Sequence, residues 1–287
     1  MSTNDLVARG QQFGVGMSLT FLLGGDLSVN RIGYGAMRLC AQPGNFGRFT
    51  DWEAGKRLLR RAVELGVNFI DTAHAYGPSC NEELIGEALA PYPAGVVIAT
   101  KGGVEKTAPD KVFTDGRPEN LRRRCEESLR LLRVERIDLY QLHRPDPNVP
   151  FADSVGAIAE LRGEGKVRHV GLSNVTLAQI EEARGIVPIA SVQNRYNLIE
   201  RADDPVVDYC TTHGIAYLPW GPLAAKPFAR EAPLASKHGA LAWLLRRSPN
   251  IIVIPGTTSL THLEANIAAG RMPLSDEEFA AITASAT

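Results

Sequence analysis

The chain has little of what marks secreted or membrane-spanning proteins. It contains only four cysteines in 287 residues, at the widely spaced positions Cys40, Cys80, Cys125 and Cys210. None of them forms a CxxC pair, which favours reduced thiols over disulfides. No apolar run approaches the roughly 20 residues that a membrane helix needs, and the N-terminus has no charged-then-apolar signal pattern. We therefore expect a cytoplasmic protein.

An excess of either charge is also missing. Lys and Arg total 31, Asp and Glu total 32, and the two signs are mixed along the chain. This balance argues against a nucleic-acid or membrane-surface partner. No linker or low-complexity stretch divides the sequence, so we expect a loose leader over residues 1–17 and a single domain over residues 18–287. The sequence does not indicate the oligomeric state.

Short apolar runs alternate regularly with longer segments of helical period. Eight runs are predicted strands, at residues 31–37, 68–73, 96–101, 137–143, 167–174, 191–197, 215–221 and 250–256. Their apolar and β-branched content suits strands buried on both faces. Eight such strands in about 250 residues predict an α/β fold, a closed (β/α)8 TIM barrel. An open sheet of two halves is the alternative, but the first βα turn lacks the third glycine of a dinucleotide fingerprint.

Helix signals fill the intervals between these strands. Capping-box patterns occur at residues 50–53, at Thr176 to Gln179 and at Ser275 to Glu278, the last of which begins an extra C-terminal helix. Asp204-Pro205 opens another helix. Further helices are predicted at residues 81–90, 118–132, 151–163 and 260–269. The segment FLLGGDLSV predicts an N-terminal β-hairpin that turns at residues 24–26, and we expect it to cover the bottom of the barrel.

Four side chains at the ends of consecutive predicted strands suggest a proton-transfer site. Active sites of this fold lie at the C-terminal ends of the strands, so Asp71, Tyr76, Lys101 and His143 are expected to converge. A nearby lysine should lower the pKa of Tyr76 from about 10, which suits a general acid. Each residue alone could be structural, but their joint occurrence favours chemistry. No metal-ligand cluster or activated nucleophile is evident, so a hydride-donating cofactor is required.

The motifs around these residues resemble the aldo-keto reductase superfamily. They are FIDTAHAYG, ATKGG, YQLHRPDP, VRHVGLSN, VQNRYN, WGPL and VIPGTTSLTHLEAN, and they run from about Phe21 to the C-terminus in family order. The resemblance implies an oxidoreductase that reduces an aldehyde or ketone with NADPH, Tyr76 being the proton donor and His143 orienting the carbonyl. It also implies a set of cofactor-binding residues, namely Met37, Asp71, Ser173, Asn174, Gln193, Trp220, Gly221, Pro222, Leu223, Ile254, Gly256, Thr257, Thr258, His262 and Asn266.

Two departures from the family pattern bear on the cofactor. Many members have a lysine or arginine after the eighth strand to hold the 2′-phosphate of NADPH, whereas this chain has Gly256 to Ser259 and His262. NADPH is still the expected cofactor, with NADH as the alternative. Residues 234–243 are several residues shorter than the pattern, either because the loop is trimmed or because residues are missing from the numbering. Nearby, Lys226 and Arg230 are candidate phosphate contacts.

The substrate and a second class of function are left open by the sequence. The candidate pocket residues, Met37, Phe46, Tyr76, Cys80, Arg144 and Trp220, form a mixed apolar and aromatic lining. Pyridoxal is one candidate among many aldehydes. Arg144 could favour an anionic substrate or form a salt bridge at the rim. The alternative to an enzyme is a cofactor-binding regulatory or interaction subunit on the same barrel.

Overall fold

The computed structural model describes residues 18–223 and 237–285, with the side chains of residues 237 and 238 left out. The expected leader and the phosphate candidates Lys226 and Arg230 therefore lie outside the described residues. The strands are β1 (Thr20–Leu23), β2 (Leu27–Asn30), β3 (Tyr34–Gly35), β4 (Phe69–Asp71), β5 (Val97–Gly102), β6 (Val104–Ala108), β7 (Lys111–Thr114), β8 (Ile137–Leu142), β9 (Val167–Ser173), β10 (Ile189–Gln193) and β11 (Ala216–Tyr217). The helices are α1 (Trp52–Glu64), α2 (Cys80–Leu89), α3 (Pro118–Leu132), α4 (Phe151–Gly163), α5 (Leu177–Arg184), α6 (Asp204–Thr212), α7 (Lys237–Arg247), α8 (Leu260–Ala269) and α9 (Asp276–Ala284).

Seven strands form one curled parallel sheet in the order β11, β10, β9, β8, β5, β4, β3. The register brings the C-terminal ends of these strands to one edge. Asp71 lies opposite Ala99, and Lys101 lies opposite Gln141. On the other side of the sheet Gln193 lies opposite Ser173. The α/β architecture and the parallel sheet are thus as predicted.

The predicted eighth strand, residues 250–256, does not form a ladder. It makes one parallel bridge at each edge of the sheet, Ile251 with Tyr217 and Val253 with Ile32. The Val253 amide donates to the carbonyl of Arg31 at 2.9 Å. Both edge strands, β3 and β11, are only two residues long, so neither supplies a longer ladder for this segment. The sheet therefore has seven strands rather than the eight that the sequence predicts.

The N-terminal hairpin is confirmed. Strands β1 and β2 pair antiparallel around residues 24–26, with Leu23 opposite Leu27. Leu23 and Val29 are fully buried, and they belong to the same apolar cluster as the sheet residues Phe69 and Leu139. The hairpin thus packs against interior side chains near the N-terminal ends of the strands, opposite the end where the polar residues lie.

Most of the predicted helix boundaries match the structure. Helices α3, α4 and α8 have the predicted bounds, and α2 begins one residue early. The capping boxes Thr176–Gln179 and Ser275–Glu278 are formed by both partners. At α1 the cap is Asp51 rather than Thr50, because the Asp51 carboxylate accepts from the Ala54 amide at 2.9 Å. Asp203 is the N-cap residue of α6. None of the described helices is long and apolar enough to cross a membrane.

Two further differences concern the neighbourhood of the site. Strand β10 covers residues 189–193, so Gln193 ends the sixth parallel strand, whereas the sequence placed it near the start of a strand at 191–197. The β6–β7 hairpin was not predicted at all. Its sequence, VEKTAPDKVFT, carries four charged residues and a Pro-Asp turn. Such a polar sequence is typical of a hairpin outside the main sheet, where water solvates one face.

Candidate active site

Asp71, Lys101 and Tyr76 meet at the C-terminal edge of the sheet, as the sequence predicts. The Lys101 ammonium Nζ lies 2.7 Å from the Asp71 carboxylate Oδ2 and 3.4 Å from the Tyr76 hydroxyl. It also donates to the backbone carbonyl of Thr72 at 2.8 Å. Three acceptors therefore orient the ammonium, and one of them is the hydroxyl of the proposed acid.

The ion pair is fully inside the protein and depends on further hydrogen bonds. Lys101 is 0% and Asp71 is 3% exposed. A buried ion pair is tolerated only when its remaining hydrogen-bonding capacity is filled. Here Gln193 donates to Asp71 Oδ1 at 2.8 Å and Gln141 does so at 3.2 Å. Sequence reasoning missed Gln141, although an amide two residues before His143 in a predicted buried strand was a usable signal.

Burial changes the proton affinity of this cluster. Although burial alone would lower it, contact with Asp71 and Tyr76 raises the pKa of Lys101, which stays charged. The pKa of Tyr76 is raised, because desolvation outweighs the opposing charge of Lys101. The expectation of a lowered tyrosine pKa was therefore wrong in its net direction. Tyr76 therefore keeps its proton at neutral pH.

His143 lies beside Tyr76, one residue beyond the end of β8. The two rings meet edge to face, with centroids 5.9 Å apart. Burial, followed by the charges of Lys101 and Arg144, holds the pKa of His143 well below its usual range. The imidazole is therefore neutral, and its buried Nδ1 has no hydrogen-bond partner within the described part of the chain.

A second group of polar residues adjoins His143. The Ser173 hydroxyl donates to the Gln193 carbonyl at 2.8 Å, and Asn174 Nδ2 donates to the His143 carbonyl at 3.0 Å. Asn174 has φ of +57°, a left-handed conformation that asparagine tolerates. The Trp220 indole donates to Asn174 Oδ1 at 3.1 Å. Asn174 thus connects the Trp220 indole to the backbone of His143.

One face of Trp220 is occupied by a cation. The Arg195 guanidinium carbon lies 5.2 Å from the centroid of the indole ring, within cation–π range. Glu200 holds the guanidinium through contacts of 2.7 and 2.8 Å. The ring is therefore supported from one side while it lines the cavity described next.

A cavity of about 650 Å³ contains most of the predicted site. The predicted residues that line it are Met37, Asp71, Tyr76, His143, Ser173, Asn174, Gln193, Trp220, Gly221, Pro222, Leu223, Ile254 and Gly256. Thr257, Thr258, His262 and Asn266 do not line it. Thr257 and Asn266 are buried, and the Thr257 carbonyl accepts from the Tyr34 hydroxyl at 2.6 Å. Thr258 and His262 are exposed around the N-terminus of α8.

Some of the predicted substrate-pocket residues line this cavity and others do not. Arg144 lines the cavity, while Phe46 and Cys80 do not. The cavity also has lining residues that sequence reasoning did not select, among them Arg38, Asn45, Val104, Lys106 and Val112. The last three come from the unpredicted β6–β7 hairpin. The only sequence signal for these three residues was that the hairpin follows Lys101 closely in the chain.

The chemistry of the lining fits a nicotinamide cofactor. A primary amide needs both donors and acceptors, which Ser173, Asn174 and Gln193 supply, and Trp220 offers an aromatic face beside them. The described residues contain no group of three or more histidine, cysteine, aspartate or glutamate side chains that could hold a metal ion. The arrangement is suited to giving a proton to an oxygen that gains negative charge.

Comparison with known proteins decides the family. The model of the Aldo/keto reductase family matches residues 31–232 and 225–287, which is most of the chain. The chain belongs to the aldo/keto reductase family. The sequence prediction of an NAD(P)H-dependent enzyme of this family is thereby confirmed.

Relatives of known sequence and structure agree with the family assignment. An uncharacterized oxidoreductase of Schizosaccharomyces pombe is 46% identical over 89% of this chain and 86% of its own length. The pyridoxine 4-dehydrogenase of Escherichia coli is 42% identical over 91% of this chain and 96% of its own. Among solved structures, a Klebsiella pneumoniae aldo-keto reductase in complex with NADPH has a TM-score of 0.75 at 26% identity, over 92% of this chain and 93% of its own.

Proposed function

We propose that this aldo/keto reductase uses NADPH to reduce an aldehyde or ketone to the alcohol, with Tyr76 as the proton donor. The observation that carries the proposal is the Tyr76 hydroxyl 3.4 Å from the buried Lys101 ammonium, which Asp71 holds from its other side. Neutral His143 adjoins the tyrosine, and all four residues stand at one end of the sheet. No other described cavity contains such a group.

Each of these residues has a defined task in the reduction. His143 hydrogen-bonds the carbonyl oxygen of the substrate and directs it toward Tyr76. As the carbonyl carbon is reduced, its oxygen takes the proton from the Tyr76 hydroxyl and the alcohol forms. The resulting tyrosinate is stabilised by the Lys101 ammonium until a proton from water restores the hydroxyl. The reverse order of these steps oxidises an alcohol.

The cofactor is assigned to the other side of the cavity. When bound, NADPH would supply the hydride for the carbonyl carbon. Ser173, Asn174 and Gln193 would bind its carboxamide, and Trp220 would stack on its ring beside Met37. Gly221, Pro222 and Leu223, with Ile254 and Gly256 across the cavity, would lie along the pyrophosphate. Thr257, Thr258, His262 and Asn266 would receive the adenosine and its phosphate.

The same proposal includes the architecture and location of the enzyme. We infer a closed (β/α)8 barrel over residues 18–287, supported by the two bridges that join residues 250–256 to both edges of the sheet. We place the enzyme in the cytoplasm, where free cysteines such as Cys40 and Cys125 stay reduced. A small carbonyl compound is its partner, and neither nucleic acid nor membrane is required.

The deciding experiment compares Tyr76→Phe with the wild-type enzyme. Oxidation of NADPH, and of NADH in parallel, is followed with a panel of aldehydes that includes pyridoxal, the aldehyde of the substrate named for the Escherichia coli relative. Loss of the proton donor should lower kcat by about 10²–10⁴-fold. Tyr92→Phe is the matched control, because the Tyr92 hydroxyl donates to the Leu132 carbonyl at 2.7 Å and does not line the cavity.

The outcome separates the enzyme from a regulatory subunit on the same fold. If the wild type were no faster than Tyr76→Phe on every aldehyde while both bound NADPH, the protein would be a cofactor-binding subunit. A difference confined to Tyr76→Phe, with Tyr92→Phe at wild-type rates, supports catalysis.

A further inference from the structure

We propose that the carbonyl substrate carries an anionic group, either a carboxylate or a phosphate ester, which Arg144 and Lys106 bind at the mouth of the cavity. The inference rests on the proposed function, because it names the substrate class of the same site.

The described lining of the cavity is strongly cationic. Asp71 is its only acidic residue, and the charge of Asp71 is matched by Lys101. His143 is neutral because its pKa is held well below the usual range by burial. The three remaining charges, on Arg38, Lys106 and Arg144, are all positive. A cleft lined by one sign of charge concentrates the opposite ion.

Arg144 has no acidic partner in the part of the chain that the structure describes. Some of the other arginines at the molecular surface are paired, as Arg168 is with Asp26 at 2.9 Å. Arg144 instead follows His143 directly, is exposed, and lines the cavity. The rim salt bridge that the sequence also allowed is therefore absent among the described residues. A free guanidinium presents a planar fork that matches a carboxylate or a phosphate.

Lys106 is aimed into the cavity by the alternation of strand β6. Successive side chains of a strand point to opposite faces. Val104 and Lys106 line the cavity, while Glu105 between them faces away and contacts Arg124 at 2.5 Å. The Lys106 ammonium donates to the Gly44 carbonyl, which leaves two of its three N–H groups for a ligand. The acid that could have neutralised Lys106 is thus engaged on the opposite face.

The third cation belongs to the cofactor side. A Cβ atom at Gly256 would come within 3.6 Å of the Arg38 side chain, so Arg38 adjoins the proposed pyrophosphate loop. Arg144 adjoins the hairpin instead, since a Cβ atom at Gly103, the residue before β6, would lie 3.9 Å from the Arg144 carbonyl. Because the Arg144 backbone lies beside the start of the strand that carries Lys106, and both residues line the cavity, we assign these two cations to the substrate side of the mouth.

The test uses pairs of aldehydes in which one member carries an additional anionic group. Succinic semialdehyde is compared with butanal, and glyceraldehyde 3-phosphate with glyceraldehyde. The anionic member of at least one pair should have the higher kcat/KM. Which pair shows the preference distinguishes a carboxylate from a phosphate. Arg144→Gln and Lys106→Gln should each lower kcat/KM for that anion by about 10-fold or more, chiefly through KM, because each removes a charge-assisted hydrogen bond. The kcat/KM of the neutral member should fall less than that of the anionic member.

Lys111→Gln is the matched control. Lys111 lies on β7 of the same hairpin, is exposed and does not line the cavity. It should leave both members of each pair unaffected. If neutral aldehydes were preferred, or if Arg144→Gln and Lys106→Gln acted equally on both members, the inference would be overturned while Tyr76-dependent turnover still supported the proposed function. Absence of Tyr76-dependent turnover with every aldehyde would instead overturn the proposed function, and this inference with it.

Discussion

The two ends of the same strands differ sharply in chemistry. Near their N-terminal ends the interior side chains are apolar, as Phe69, Val97 and Leu139 are, and the β1–β2 hairpin packs on them. Two residues after Phe69 on β4 stands Asp71, and two after Leu139 on β8 stands Gln141. Because side chains alternate with a period of two, each strand presents both kinds of residue to the interior. Each strand thus positions interior side chains at both of its ends. The types of those side chains make one end apolar and the other end polar.

The comparison separates stability from activity. The apolar end gains free energy by removing hydrocarbon from water, at roughly 25 cal/mol per Å². The polar end buries the pair of Lys101 and Asp71, whose desolvation offsets much of its attraction. A substitution at the apolar end should therefore change unfolding, and one at the polar end should change turnover. Three predictions, from the largest expected effect to the smallest, test whether stability depends on the apolar end and turnover on the polar end.

The largest effect is expected for Lys101→Met, which should lower both turnover and stability although the residue lies at the polar end. It removes the cation that stabilises the Tyr76 oxyanion and leaves Asp71 buried without an ionic partner. We expect kcat to fall by about 10²-fold or more, and the free energy of unfolding to fall by about 3–5 kcal/mol. Aldehyde-dependent NADPH oxidation and urea unfolding measure the two effects.

A double variant separates the two consequences of that change. Adding Asp71→Asn removes the unpaired charge, so most of the lost stability should return while the activity does not. Recovery of turnover in the double variant would show that Lys101 acts only by neutralising Asp71, which contradicts the catalytic role given to it here.

Leu139→Ala tests the apolar end. Leu139 is fully buried in the interior cluster, and its truncation leaves a cavity, so the free energy of unfolding should fall by about 2–5 kcal/mol. The kcat of the folded enzyme should stay within about threefold of wild type, a change of less than 1 kcal/mol in barrier height. A loss of kcat comparable to that of Tyr76→Phe would mean that the two ends are not independent.

Glu82 is a buried acid on α2 that contacts Thr100 on β5, outside the sheet interior. It is fully buried on α2 and accepts from the Thr100 hydroxyl at 2.6 Å, while its Oε2 has no partner among the described residues. Burial raises the pKa of Glu82 from 4.5 to about 7. The folded state therefore binds more protons than the unfolded state between these values, so stability should decline as pH rises through this window and level off above it.

Glu82→Gln should remove that decline. The variant keeps the acceptor for Thr100 but cannot ionise, so at about pH 8 it should be more stable than wild type by about 1–3 kcal/mol, and nearly equal at about pH 5. Urea unfolding at the two pH values measures this difference. Glu181→Gln, at an exposed position on α5, is the control. Equal destabilisation of Glu82→Gln at both pH values would show that the carboxylate is needed in its charged form.

Local sequence signals predict much of the fold. Helix α3 was bounded at residues 118–132, and the Thr176–Gln179 capping box was identified, because a cap depends only on residues within one turn. The β6–β7 hairpin is not predicted because its four charged residues leave no long apolar run. Gln193 was misplaced along its strand because the edges of a buried strand depend on its neighbours rather than on its own pattern.

At the site, too, the sequence predicts what depends on neighbouring residues but not what depends on residues distant in the chain. The sequence by itself determined that Asp71, Tyr76, Lys101 and His143 lie at the ends of successive strands. Because parallel strands bring their C-terminal ends to one edge of a sheet, these four residues are expected to meet there. Only the tertiary structure decided that burial outweighs Lys101 in raising the pKa of Tyr76, and that Arg144 has no described acidic partner. Burial and pairing are sums over residues distant in sequence, and no local pattern contains them.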